Sequence, residues 1–317
     1  QLKKLELTPE VTQDLKALAQ KIQDAETPRQ RANATARLMK RIASFTPPSF
    51  WKKVSMVQTL SQLLNLKTAG RNIVGNTGFM ALENISDVVA AGFDSAVSLV
   101  TKQRSKVLPN FKVQFRGAGR GFREGMQDLN EGIDTSAARS QYELPAPGIF
   151  KSGVGQAFEK MLNFELRVPD RMAYTAAYRG SLINQMKAAK VFRPTDAMLE
   201  TAHLDALYRT FQDDSAVAIV FKKIKEGFNF LSSPLTGGSK EWGLGDAVIK
   251  YPKTPGNILA RGIDYSPAGF LKTVLELAKG SSGHGFDQKS FVESASRAFV
   301  GSTLVGTGLL LGKLGLV

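Results

Sequence analysis

The chain has 317 residues, 43% hydrophobic and 22% charged, which is enough apolar material for packed cores and excludes wholesale disorder. Lys and Arg outnumber Asp and Glu by 42 to 28, a formal charge of +14 that points to an acidic partner: nucleic acid, an anionic membrane face or an acidic protein surface. Cysteine is absent, which excludes disulfides and thiolate metal sites, and the only histidines, His203 and His284, lie far apart, which disfavours histidine-based acid–base and metal chemistry.

The sequence opens Gln1-Leu2-Lys3-Lys4 without Met and stops inside an apolar run, so it reads as a fragment or processed product, with no signal peptide visible. Two helices are predicted over 8–44. Thr8-Pro9-Glu10 starts the first, with Thr as N-cap and Pro in the first turn, and Val11, Leu15, Leu18 and Ile22 mark one face. Thr27-Pro28 starts the second, whose stripe is Ala32, Ala36, Met39 and Ala43. Thr46-Pro47-Pro48 breaks the chain. Helix resumes over 49–66, with Trp51, Val54, Val57, Leu60 and Leu64 as buried candidates. Residues 65–76 are small and polar and read as a turn or a packed helix end. Over 78–100 the pattern is an amphipathic helix whose Glu83, Asp87 and Asp94 share one face, and three acids argue against a membrane span.

Residues 102–123 form the most basic stretch. Gly117, Gly119, Gly121 and Gly125 in its second half suit close helix packing better than a phosphate loop, because no strand precedes them. Residues 135–153 read as loop. Helices are predicted at 154–167, at 170–190 from the start Pro169-Asp170, from Pro194-Thr195-Asp196 to about 211, and at 214–231. A Gly/Ser/Pro connection spans 232–256, and helices resume near Ile258, Pro267 and Ser290. Ala298–Val317 carries a single charge, Lys313, and has Ser302/Gly306 and Gly308/Gly312 at small-xxx-small spacing. That tail reads either as a membrane-active helix with Lys313 at the headgroups or as a hairpin buried in an assembly.

Period-two alternation is almost absent, so the expected fold is all-α: an elongated assembly of about ten helices ending in a Gly-rich apolar one. The expected organisation is a helical hairpin at 1–46, a helical region with the basic segment at 47–145, a bundle at 146–232, a linker at 233–256 and C-terminal helices at 257–317. Candidate contacts to nucleic acid or an anionic surface are Arg29, Arg31, Arg37, Lys40 and Arg41 in one segment. In the other they are Lys102, Arg104, Lys106, Lys112, Arg116, Arg120 and Arg123. Candidate membrane residues are Gly301, Gly306, Gly308, Gly312 and Lys313. Glu159, Glu165, Arg167, Asp170 and Arg171 read as salt-bridged helix ends, and His203 as a packing residue. No catalytic, cofactor-binding or metal residue is expected, and the chain reads as a non-enzyme.

One stretch resembles a known family. It runs Leu207-Tyr208-Arg209-Thr210-Phe211-Gln212-Asp213-Asp214, then Phe221-Lys222-Lys223-Ile224-Lys225, Gly243-Leu244-Gly245-Asp246, and Tyr251-Pro252-Lys253-Thr254-Pro255-Gly256-Asn257 through Arg261-Gly262-Ile263-Asp264-Tyr265-Ser266-Pro267. Together with Leu66-Lys67-Thr68-Ala69-Gly70-Arg71-Asn72-Ile73-Val74-Gly75-Asn76, it is similar to a helical module of the large polyvalent proteins of phages and mobile elements. Locally, Lys253-Thr254-Pro255 should approach in an extended conformation a short helix beginning at Asn257-Ile258, and Ser266-Pro267 should cap the next one. The resemblance implies a virion internal or ejection protein stored near the portal and delivered with the DNA into the host envelope or cytoplasm. Its implied partners are other virion proteins and further copies of itself, with DNA possible and a membrane possible through 298–317. The competing expectations are a soluble nucleic-acid-binding module of a mobile element and a helical pore-forming or toxin-like protein.

Overall fold

The structure, a computed structural model, describes residues 8–25, 28–45, 50–63, 66–133, 153–237, 242–281 and 285–316. Among these the fold is all-α, with no strand. The helices are α1 (Pro9–Gln23), α2 (Pro28–Ser44), α3 (Phe50–Leu63), α4 (Leu66–Thr101), α5 (Phe111–Glu131), α6 (Gly153–Ala188), α7 (Asp196–Arg209), α8 (Ala216–Leu231), α9 (Leu244–Val248), α10 (Lys253–Asp264), α11 (Phe270–Ser281) and α12 (Gln288–Lys313). Local chemistry places several starts where the sequence signals them. The Thr8 hydroxyl accepts from the Val11 amide at 3.4 Å and Pro9 occupies the first turn. Thr195 caps α7 through the Met198 amide, and Ser266 caps the short 3-10 turn Pro267–Gly269 that leads into α11.

Other expectations fail or hold in part. Residues 66–76 form no turn but the N-terminal end of α4, the helix-end alternative, with Val74 and Gly75 exposed and not packed. A glycine costs a helix only about 1 kcal/mol against alanine, and a helix already nucleated and packed downstream absorbs that. Likewise 154–167 and 170–190 are one helix, α6, with Pro169 in its interior. The lost backbone bond costs about 3 kcal/mol. It is offset by close packing of the flanking residues, since a Cβ on Gly125 of α5 would lie 3.2 Å from Val168 Cα and 3.5 Å from Arg171 Cβ. The connection 232–256 contains α9 and the start of α10, so Thr254 and Pro255 are helical, not extended. A first-turn proline forfeits an amide that would have no helical partner. The expected breaks and loop at 46–48 and 135–152 lie outside the described residues.

The described chain forms two compact units. The first takes residues 1–71, 121–171 and 224–251. There α1 packs on α2, with Arg41 held by Asp14 at 2.6 Å and its guanidinium 4.7 Å from the Phe45 ring centre. On α3, Trp51 stacks on Trp242 with centroids 5.1 Å apart, while Gln58 accepts from the Trp242 indole at 2.8 Å and donates to the Asp246 carbonyl at 2.6 Å. Trp51 and Gln58, seven residues apart, fix the inner face of α3. Val57 lies about a third of a turn off it and is exposed, contrary to the sequence expectation. The Asp246 carboxylate is buried and receives Lys225 at 2.9 Å and the Asn229 amide at 2.9 Å.

The second unit takes residues 72–120, 172–223 and 252–317. Its buried apolar side chains are mostly small: Ala90, Ala91, Ala176, Ala177, Ala202, Ala206, Ala218, Ala260, Ala295 and Ala298. Its fully buried large side chains include Glu83, Asp94 and Asn257. Backbones approach closely to close such a core. A Cβ on Gly117 of α5 would lie 2.9 Å from both Ala176 Cα and the Thr175 carbonyl oxygen of α6, and one on Gly301 of α12 would collide with the Tyr265 carbonyl. Long apolar side chains on the same helices point outward, among them Ile85, Val88, Leu259, Leu271, Val274, Leu275, Leu304 and Leu309.

Candidate functional site

The acids that interrupt α4 set up the most distinctive site in the second unit. Glu83 and Asp87 are one helical turn apart, so both carboxylates leave the same face. Arg297 of α12 grips Glu83 with two parallel bonds, Nε to Oε1 at 2.9 Å and Nη2 to Oε2 at 3.1 Å, and the Tyr265 hydroxyl donates to Oε1 at 2.7 Å. Arg209, at the end of α7, reaches Asp87 at 2.5 Å and Glu83 at 3.6 Å. Lys106 bridges Asp87 at 2.8 Å and Glu293 of α12 at 2.7 Å. Three acids, Glu83, Asp87 and Glu293, thus meet three bases, Lys106, Arg209 and Arg297, and the buried set is neutral. The Tyr208 ring lies between two guanidinium groups, Arg261 at 3.3 Å and Arg297 at 4.1 Å from its centre.

Burial alone would raise the Asp87 carboxyl, but Arg209 and Lys106 outweigh it and bring the pKa down to about 2. Burial likewise opposes ionisation of Glu293, and Lys106, Lys289 and Arg297 overcome it, so its pKa is lowered. Burial would lower Lys106 and Arg209, yet Asp87 raises both. Burial is also the main reason the Tyr208 and Tyr265 hydroxyls are raised. Asp87, Glu293, Lys106 and Arg209 keep their charges through neutral pH, so ion pairing locks α4, α7 and α12 to one another and to the segment between α4 and α5.

Around it, the chain segment between α4 and α5 is pinned. Asp94 receives Arg104 at 3.0 Å, the Ser105 hydroxyl at 2.5 Å and the Gln288 amide at 2.8 Å, while Asn184 of α6 brackets Val107 through both its amide and its carbonyl. Asn257 donates to the carbonyls of Phe211 and Asp213, both at 2.7 Å, and so fastens α10 to the turn after α7, where Phe211 has φ 57°. Arg261 reaches Asp213, and the Tyr208 hydroxyl donates to Asp264 at 2.7 Å. The residues that carry the sequence resemblance, Tyr208, Arg209, Asp213, Asn257, Arg261, Asp264 and Tyr265, are therefore builders of this ionic core.

The two basic segments part company. In the first unit, Arg37 pairs with Glu131 at 2.9 Å, Lys40 donates to the Glu131 carbonyl at 2.8 Å and Arg41 pairs with Asp14; Arg31 is exposed. The side chain of Arg29 lies outside the described residues. In the second segment, Lys106 is buried between Asp87 and Glu293 and does not serve the open surface expected of it, while Arg104 pairs with Asp94 and stays exposed. Lys102, with φ 57°, is exposed after the end of α4, and Lys112, Arg116, Arg120 and Arg123 are exposed along α5.

The glycines of the tail divide too. Gly301 is a packing residue against Tyr265, which corrects its assignment to a membrane face. Gly306, Gly308 and Gly312 have no atom within 4 Å of where a Cβ would stand, and Lys313 is exposed. No helix among the described residues is long and apolar enough to cross a membrane. In α12, Lys106 and Glu83 hold Glu293 and Arg297 of its first half in the ionic core, and the uncharged run from Ala298 to Gly312 gives about 22 Å of helix where about 30 Å is needed.

Arg171 pairs with Glu124 of α5 at 3.4 Å, but from the interior of α6 and not from a helix end, because no helix junction occurs at 167–171; His203 Nδ1 lies 2.7 Å from the Tyr174 hydroxyl beside Ala177 and Ala206. No group of three acids or histidines able to hold a metal occurs among the described residues. A cavity of about 570 Å³ beside α11 and α12 is lined by Tyr208, Lys272, Leu275, Lys279 and Arg297. Its cations already face acids: Lys272 faces Asp264, Lys279 faces Glu276 and Arg297 faces Glu83. The sequence shows the three acids of α4 but not their partners, which come from residues 10 to 214 positions away. The chain matches no known protein family, no curated protein and no solved structure.

Proposed function

We propose that this protein is a non-enzymatic, helical component of a phage virion interior, delivered with the genome, and that it acts by assembling with further copies of itself. The observation that supports this most is the inverted second unit: ion pairs inside, long apolar side chains outside. The end of α12 concentrates the effect. Leu304, Val305, Leu309 and Leu310 are exposed there, and no charge intervenes between Arg297 and Lys313. Isolated surface apolar residues are ordinary, but a continuous run marks an interaction surface. The three open glycines on this helix each weaken it by about 1 kcal/mol and fill no need of their own chain. With Ser302 they give the small-xxx-small spacing that lets one helix approach another closely.

The phage setting rests on the resemblance of 204–270, and the physical reading is compatible with it. A core held by paired charges adds little net stability yet fixes one arrangement. Such a core suits a chain that must open for delivery and close again in register.

Size-exclusion chromatography with light scattering tests assembly: the full chain should be oligomeric, and Val305→Asp with Leu309→Asp should release monomers. A monodisperse monomer of the unaltered chain would overturn the reading. Mass spectrometry of purified particles of the phage encoding it should find the chain inside them. A second reading, a nucleic-acid-binding module, draws on the exposed Lys112, Arg116 and Arg120. It requires duplex binding that falls steeply with rising salt.

A further inference from the structure

We infer that the outer face of α5 is a docking surface for an anionic phospholipid membrane, lying in the plane of the headgroups. This goes beyond the proposed self-assembly by naming the acidic partner that the basic excess calls for; its test reads vesicle binding, not oligomeric state, so either can fail without the other.

The rotation of α5 about its axis is fixed from inside. Gly117 meets the backbone of Thr175 and Ala176, and the Gln114 amide donates to Asn84 at 2.9 Å. The inner face is thus glycine and glutamine, and the phenylalanines are left outside: Phe111 is 49% and Phe115 80% exposed. They are four residues apart and form one row. Lys112, Arg116 and Arg120 repeat the same spacing in the adjoining row. No Asp or Glu occurs from Ser95 through Arg123. The segment leading into the helix is pinned by Asn184 on Val107 and Asp94 on Ser105.

An aromatic row beside a basic row is the pattern of a helix that sinks its rings to the acyl boundary while its cations meet lipid phosphates. A duplex nucleic acid would use the cations and leave both rings in water. A second copy of α5 would oppose basic row to basic row. The anionic bilayer is the partner that occupies both rows together.

Flotation of the full chain with vesicles of equal parts phosphatidylcholine and phosphatidylglycerol should carry it upward, whereas pure phosphatidylcholine vesicles should not. Lys112→Glu with Arg116→Glu should weaken the anionic-vesicle affinity by about a hundredfold. Phe115→Ser should weaken it by about tenfold, and that loss should persist at raised salt. All three positions are exposed, so unchanged circular dichroism should confirm that the variants fold. Flotation unaltered in either variant would overturn the inference. So would tight binding to a duplex DNA oligonucleotide that is lost on charge reversal, indifferent to Phe115→Ser, and unaccompanied by flotation.

Discussion

Arg209 shows how much the interior depends on single side chains. It faces two buried carboxylates, and removing it leaves both short of a partner. Arg209→Met should destabilise the second unit by about 3–5 kcal/mol in urea denaturation, whereas Arg209→Met combined with Asp87→Leu should recover part of that loss because fewer unpaired charges stay buried. The pH response follows from the same groups. Asp87 titrates near 3.8 when unfolded and at about 2 when folded, and Glu293 is displaced downward from 4.5. A lowered carboxyl contributes stability that is present above its unfolded pKa and lost as pH falls through the folded one. Stability should therefore be flat from neutrality to about pH 5 and drop between about pH 4 and pH 2, with Asp87 alone accounting for about 2 kcal/mol. Asp87→Asn should flatten that acid limb in thermal melts taken at successive pH values; an unchanged limb would remove Asp87 from the account.

Within α12, glycine has two opposite uses. At Gly301 a methyl group would strike the Tyr265 carbonyl, and backbone cannot step aside cheaply. Gly301→Ala should lower stability by about 2 kcal/mol or more. At Gly306 there is open space, so Gly306→Ala should raise it by about 0.5–1 kcal/mol through helix propensity alone. Denaturant midpoints of the two variants should move in opposite directions. If Gly306→Ala also abolishes the oligomer, the glycine serves a neighbouring copy. Helix starts marked by Thr8, Thr195 and Ser266 were legible from composition because capping is a contact within three residues. The continuity of α6 through Pro169 was not, because local propensity there disfavours the helix that tertiary packing maintains, and the reach of α4 back to Leu66 was not, because its small polar residues carry no helix signal of their own.

At the scale of the molecule, the second unit departs from the usual partition of residues. Charged groups that average composition would place on the surface sit inside, and leucines and phenylalanines sit outside. Such a surface has a use only when covered, and two parts of it call for different covers. The uncharged end of α12 suits another helix, while the basic and aromatic face of α5 suits an anionic surface. Charge reversal on α5 should leave the light-scattering mass unchanged, and Val305→Asp with Leu309→Asp should leave flotation on anionic vesicles largely intact. Coupled loss of both in either variant would mean that one surface, not two, is at work.

From the amino-acid sequence alone came the all-α class, the basic excess, the shared face of Glu83, Asp87 and Asp94, and the two cationic segments, because periodicity and composition are properties of neighbours along the chain. Which cations stay open was decided only in three dimensions. Lys106 disappears between Asp87 and Glu293, while Lys112, Arg116 and Arg120 lie exposed along α5, since burial depends on what folding brings within a few ångströms across the chain. The same holds for Gly301 and Gly306, five residues apart on one helix, of which only the first has a neighbouring backbone against it.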